Sequence, residues 1–196
     1  MKRLLSTLLL AGVVLWSASQ AMAFKPAVVF DMGGKFDKSF NEGIWNGLEK
    51  FRKETGINYR EFEVQQEAQR EQFLRKLAKR GSDPILAVGF GQAAAVEKVA
   101  KEYPNTRFSI IDVNWLNAAN IQGIAFKEQE GSFLVGVLAA MRSKSGKVGF
   151  VGGMDIPLIH KFACGYVQGV KYINSGATVF QKMTGTTPAA WSDPAR

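Results

Sequence analysis

Ala27-Val28-Val29-Phe30-Asp31 is the stretch that decides the fold. Four apolar residues in a row, without polar alternation, suit a strand covered on both faces, and such strands belong to parallel sheets flanked by helices. Immediately downstream the period becomes helical, with Phe40, Ile44, Leu48 and Phe51 recurring at intervals of three and four. Ser39 and Glu42 have the spacing of a capping box at the start of that helix. Gly56 stands where a C-terminal glycine belongs.

The same alternation runs on along the chain. Strands are expected over 58–64, 84–90, 107–113 and 121–126, with helices over 68–80 and 92–102 between the earlier ones. The pattern restarts at Lys127: helix to Arg142, strand 147–151, helix 157–172, strand 178–182. Alternating strand and helix implies right-handed crossovers and a mostly parallel sheet with helices on both faces. The first five strands form one unit of residues 24–126. Residues 127–196 supply only two strands, a poor parallel sheet by themselves, so the second unit reads as unfinished.

Residues 1–23 read as a signal peptide. Met1-Lys2-Arg3 is a positive head, Leu4 to Trp16 is largely apolar, and Ala21-Met22-Ala23 has the small-x-small pattern of a cleavage site. The apolar run falls short of the roughly 20 residues that a bilayer span needs. Cleavage after Ala23 would place Phe24 at the N-terminus of a periplasmic protein. No cysteine lies near that site to accept a lipid. Cys164 is the single cysteine of 196 residues, which excludes an intrachain disulfide. Its neighbours Phe162, Ala163 and Tyr166 suggest a small core residue. The formal charge of +8 falls to +6 when Lys2 and Arg3 are removed with the leader. Arg52-Lys53 and Lys79-Arg80 fall at helix C-termini, where they complement the helix dipole, so no nucleic-acid partner is expected.

Ligands of open α/β sheets bind beyond the carboxyl ends of the strands. Those ends carry Asp31, Gly89-Phe90-Gly91 and Asp112 in the first unit. In the second they carry Gly152-Gly153-Met154-Asp155 and Thr184-Gly185-Thr186. Carboxylates from separate strands can accept hydrogen bonds from a polar ligand, and glycines let the backbone approach it. A helix cap or a salt bridge is the competing reading for each aspartate alone. Gly33-Gly34-Lys35-Phe36 lacks the remaining parts of a P-loop, and Gly146, Gly149 and Gly152 have no dinucleotide-binding spacing. His160 is the sole imidazole, no metal-ligand spacing occurs, and no nucleophile elbow is present. Neither a catalytic residue nor a metal nor a cofactor is therefore expected.

Four stretches carry a family resemblance. Residues 31–48 (DMGGKFDKSFNEGIWNGL), 108–112 (FSIID), 126–136 (FKEQEGSFLVG) and 146–165 (GKVGFVGGMDIPLIHKFACG) resemble the basic membrane protein family, the substrate-binding components of ABC importers. The resemblance spans residues 24–196. It implies a type I periplasmic binding protein, with two doubly wound α/β lobes joined by a hinge and the second lobe incomplete here. It further implies a monomer that delivers a nucleoside, of the purine kind in many members, to a membrane permease. By the same resemblance Asp31 is a cleft carboxylate, Phe40 stacks on the base with Asn41 beside it, and Asp112 reads the base's exchangeable hydrogens. Phe162 is the opposing aromatic from the second lobe. The alternative in a different class is a sensor of the same fold that reports a ligand to a partner, and a nucleoside-cleaving enzyme is more distant still.

Overall fold

The computed structural model of the protein describes residues 24–191 and Ala195. The expected signal peptide therefore lies outside the described residues. The first unit runs β1 (Ala27–Phe30), α1 (Phe40–Thr55), β2 (Arg60–Glu63), α2 (Gln69–Lys79), β3 (Ile85–Ala87), α3 (Ala93–Glu102), β4 (Phe108–Ile111) and β5 (Ile121–Ile124). These strands form one sheet in the order β2-β1-β3-β4-β5, every pairing parallel. The chain steps outward from β1 to β2 and then back across to β3, so strand order reverses between β1 and β3. That reversal leaves a crevice at the carboxyl ends of these two strands.

β1 is buried along its whole length, as its unbroken apolar run requires. Val28 and Phe30 face α1, packing with Val88, Ile44, Trp45 and Leu48. Ala27 and Val29 face the opposite side, in a core that takes Leu74 and Leu77 from α2 and Val96 and Val99 from α3. Each large apolar side chain removed from water in this way contributes about 1.5–3 kcal/mol. Gln92 is also fully buried, and its amide donates to the carbonyls of Val29 and Val88, tying the start of α3 to β1 and β3.

The entry to α1 differs from the expected capping box. Ser39 makes no side-chain capping bond. Asp37 does the work instead, accepting the backbone N–H groups of Ser39, Asn41 and Glu42 at 2.8–3.1 Å. Burial pushes the Asp37 carboxyl up, but these backbone donors outweigh it and hold it below the ordinary carboxylate value. Glu42 still reaches back, one residue further than the box predicts, to the N–H of Lys38. At the other end Gly56 adopts the left-handed conformation and donates its N–H to the Arg52 carbonyl.

The second unit contains α4 (Glu128–Arg142), β6 (Lys147–Met154), α5 (Pro157–Ile173) and β7 (Thr178–Gly185). β6 and β7 pair in parallel. Both strands run three residues beyond their expected ends, so Gly152-Gly153-Met154 and Thr184-Gly185 are strand rather than loop. The reason is packing. A Cβ on Gly152 would collide with Met183 and Ile159, and one on Gly153 would run into the Trp191 ring. These glycines make room for the protein's own side chains. α4 and α5 cross at glycines for the same reason: Gly136, Gly165 and Gly169 each lie against backbone of the facing helix. Cys164 is exposed, against expectation. The buried stripe of α5 is Ile159, Ala163, Tyr166 and Val170, and Cys164 is one residue off that face. Among the described residues no helix is long and apolar enough to cross a membrane.

Candidate functional site

The crevice is built from the β1–α1 turn and the segment following β3. Asp31 follows β1, and its carboxylate Oδ1 accepts the Met32 N–H at 2.9 Å and the Arg70 guanidinium at 3.1 Å. Its other oxygen leans over two glycines. A Cβ on Gly89 would stand 2.8 Å from Asp31 Oδ2 and 3.5 Å from the Phe40 ring, and one on Gly91 would stand 2.9 Å from Arg70. Gly89 also has φ of 91°, a backbone that side chains resist. Asp31, Phe40 and Arg70 thus converge on bare backbone at the switch point. Phe40 remains 36% exposed there, although it opens the apolar face of α1.

Asn41 is brought beside Asp31 but turned inward. It is only 2% exposed. Its carbonyl accepts the Asp31 N–H, and its amide donates to the Asp31 carbonyl and to Asp37. All its polar capacity is spent on fixing the turn that carries Asp31 and Phe40.

Asp112 follows β4 and has φ of 64°, rare outside glycine and costing about 1–3 kcal/mol. Its N–H donates to the Ile124 carbonyl at 2.7 Å, which locks the kink. Burial raises the Asp112 carboxyl to about 6; repulsion from Glu128 adds to this and attraction to Lys161 opposes it. Glu128 opens α4 and Lys161 lies on α5, so the second unit reaches the end of β4 electrostatically. Phe162, next to Lys161, is half-buried on α5. Among the described residues no ring pair joins it to Phe40.

Sequence reading missed Arg70, Glu128 and Lys161. Arg70 had a signal: a cation in the first turn of a helix opposes the dipole, so it needs a partner elsewhere. Glu128 had none, because an acid in a first turn is ordinary. His160 pairs with Asp155 at 2.6 Å on the surface, and both are about half exposed. A cavity of about 400 Å³ lies apart from these residues, between Lys35, Trp45, Glu49, Tyr59 and Glu61. Its charges are already matched, Lys35 to Glu61 and Arg52 to Glu49. Among the described residues no cluster of metal-ligating side chains occurs.

A parallel sheet with its crevice at the switch point, followed by a second α/β unit, is the fold of a type I periplasmic solute-binding protein. A crystal structure of an ABC transporter solute-binding protein from Aeropyrum pernix superimposes with a TM-score of 0.74 at 32% identity, covering 85% of this chain and 50% of that one. Residues 24–195 match the Bmp family, described as ABC transporter substrate-binding protein PnrA-like, and the chain belongs to that family. Among its relatives are the CD4+ T-cell-stimulating antigen of Listeria monocytogenes, 37% identical over 80% of this chain and 45% of its own length. Another is the ABC transporter nucleoside-binding protein BmpA of Lactococcus lactis, 32% identical over 79% of this chain and 45% of its own length. The chain spans about half the length of these curated relatives.

Proposed function

We propose that the protein is exported, loses residues 1–23, and captures a purine nucleoside for delivery to the permease of an ABC importer. The observation that carries this reading is the convergence at the switch point: an exposed aromatic, Phe40, beside a carboxylate, Asp31, over glycines that leave the backbone bare. Asp112, held in a strained backbone at the end of β4, supplies the acceptor for the edge of a base. The name of the Lactococcus relative supports a nucleoside as ligand.

The chemistry is consistent. A planar base lying on Phe40 gains about 1–3 kcal/mol of stacking. Asp31, already braced by Arg70 and Met32, is set to receive ribose hydroxyls. Ionised Asp112 accepts from base N–H groups and rejects analogues that leave it unpaired. Asn41 serves by holding the turn. Phe162 closes on the second face of the base as residues 127–196, acting as a second lobe, swing about the junction between Phe126 and Lys127.

Titration calorimetry on the full-length protein tests this. Adenosine, guanosine or inosine should bind, with pyrimidine nucleosides and free ribose weaker. Asp112→Ala should cost about ten- to hundredfold in affinity, the value of a hydrogen bond to a charged acceptor. No heat and no melting shift with any nucleoside would overturn the ligand class. For export, periplasmic extracts should yield a chain beginning at Phe24.

A further inference from the structure

Arg70 and Arg75 both lie on α2, but the fold treats them differently. Arg75 donates to Glu71 and Glu102 at 2.6–2.8 Å near the surface. Arg70 is turned into the crevice, its side chain only 11% exposed. There it makes one short contact, to Asp31 Oδ1 at 3.1 Å, and one long one of 3.7 Å to the exposed Glu67. Its Nε is buried without a partner. As the second residue of α2 it also sets a positive charge against the positive end of the helix dipole. Burial, an unmet donor and the dipole all count against stability at this position. What the position does provide is a hold on Asp31.

That hold leaves one atom of Asp31 over. The Asp31 N–H donates to Asn41 Oδ1 at 3.1 Å, and the Asp31 carbonyl accepts the Asn41 amide at 3.4 Å. Oδ1 accepts both the Met32 N–H and Arg70, and among the described residues no donor is placed on Oδ2. Oδ2 stands 2.8 Å from the point where a Cβ on Gly89 would sit, and the edge of the Phe40 ring stands 3.5 Å from the same point. The unused acceptor and the aromatic ring are therefore neighbours over bare backbone. A carboxylate oxygen only accepts, so it selects a donor. A neutral hydroxyl on a solute lying against Phe40 is such a donor; an ether oxygen, a bare C–H or an anionic group at the same place is not.

We infer that Arg70 is a positioning residue that sets which solutes the crevice accepts: by holding Oδ1 it leaves Oδ2 of Asp31 as one fixed acceptor for a hydroxyl of the bound solute. This deepens the proposed nucleoside reading and rests on it for the ring against Phe40. Without the guanidinium the Asp31 side chain turns about its own bonds, and either oxygen meets whatever the ligand or water offers. A fixed acceptor discriminates more sharply than a turning one, because a ligand without the hydroxyl leaves it unpaired and it cannot swing away to water. Arginine suits this task better than lysine, since a planar guanidinium rooted on a helix fixes direction as well as charge. Gly91 belongs to the same device. A Cβ there would stand 2.9 Å from Arg70 Nη2 and 3.4 Å from Asp31 Oδ2, so the bare backbone is the room in which the two side chains meet.

Calorimetry on the full-length protein compares guanosine with 2′-deoxyguanosine and 3′-deoxyguanosine, and D-ribose with 2-deoxy-D-ribose. In wild type at least one deoxy analogue should bind about ten- to hundredfold more weakly than its parent. In Arg70→Met that ratio should fall to within about threefold, and Arg70→Lys should restore part of it. A merely structural role for Arg70 would weaken parent and analogue alike and leave the ratio as it was. Gly91→Ala is a second variant that keeps the arginine. Its methyl group meets side-chain ends alone, Arg70 first, so the fold is kept while the guanidinium is pushed off Asp31, and the ratio should fall here too. Parent and deoxy analogues that bind alike in wild type, or a ratio unchanged in Arg70→Met and Gly91→Ala, overturn the inference and leave the nucleoside reading in place. Silent nucleosides, with ribose preferred over 2-deoxyribose only while Arg70 is present, uphold it and overturn the nucleoside reading instead. Binding of none of these solutes overturns both.

Discussion

The two sheets of this chain handle apolar surface in opposite ways. In the five-stranded unit Phe30, Phe108, Leu74, Leu77 and Ile85 are at most 1% exposed. In the two-stranded unit Leu134, Met141, Val151, Tyr172 and Phe180 are each at least 60% exposed. The helices and strands of both units form from similar local signals, so local propensity does not explain the difference. A sheet with helices on both faces encloses its side chains, whereas two strands backed by one crossed pair of helices leave a face open. Apolar faces of this extent are the kind that another element or partner covers. The proposed ligand residues are divided by the contrast, with Asp31, Phe40, Asn41 and Asp112 on the closed unit and Phe162 on the open one.

The sharpest way to break the comparison is a matched pair of truncations in the chain 24–196. Phe108→Ala should destabilise by about 3–5 kcal/mol through lost burial and a cavity. Phe180→Ala, at an exposed position, should fall within about 0.5 kcal/mol of wild type. Urea unfolding measures both, and equal losses would mean that Phe180 is as buried as Phe108. A smaller effect sharpens the account of the second unit. Gly169→Ala sets a methyl group against backbone of Phe133 and Val137 in α4, with no flexible side chain to yield. Prying the helices apart should cost about 1–3 kcal/mol. Fast amide exchange should then appear in α4 and α5 while β1 and β4 keep wild-type protection.

The smallest effect is an acid one confined to the first unit. Asp83 is buried and takes the Arg107 guanidinium at 2.7 Å and the Arg107 N–H at 2.8 Å. Burial pushes its carboxyl up, but the Arg107 hydrogen bonds and charge outweigh this and hold it below the ordinary 3.8. A depressed folded value stabilises above the unfolded value and is lost as pH falls through the folded one. Asp83→Asn should therefore flatten the stability loss below about pH 4 and leave the shape of the curve near neutrality unchanged. A wild-type acid limb in this variant would show that the pair does not couple to folding.

Much of the fold was legible because it rests on short-range periodicity. The unbroken run at 27–30 announced a strand buried on both sides, and the stripe at Phe40 to Phe51 and the helix expected over 68–80 announced its cover. Asp31 and Asp112 stood out because strand ends are where such sheets can hold ligands, whereas Phe40, the first apolar residue of α1, was singled out only by the family resemblance. The failures share a cause as well. Ser39 matched a capping pattern that Asp37, two residues earlier, fulfilled through the actual path of the turn. Gly152 and Gly153 read as strand-end glycines that let the backbone approach a ligand, while their real constraint is Met183, Ile159 and Trp191, most of them remote in sequence. Cys164 was judged by its sequence neighbours rather than by its angle on the helix.

The sequence by itself determined the alternation of strands and helices, the parallel class of sheet, and the chemical types at the strand ends, since each depends on residues within a turn or two. Only the tertiary structure decided the strand order that opens the crevice between β1 and β3. Only it turned Asn41 inward to hold the loop, matched Arg70 to Asp31, and set Lys161 on the buried Glu128. Those outcomes depend on which side chains meet after the chain has crossed the sheet. Burial and charge act over distances of a few ångströms in space, whatever the separation along the chain.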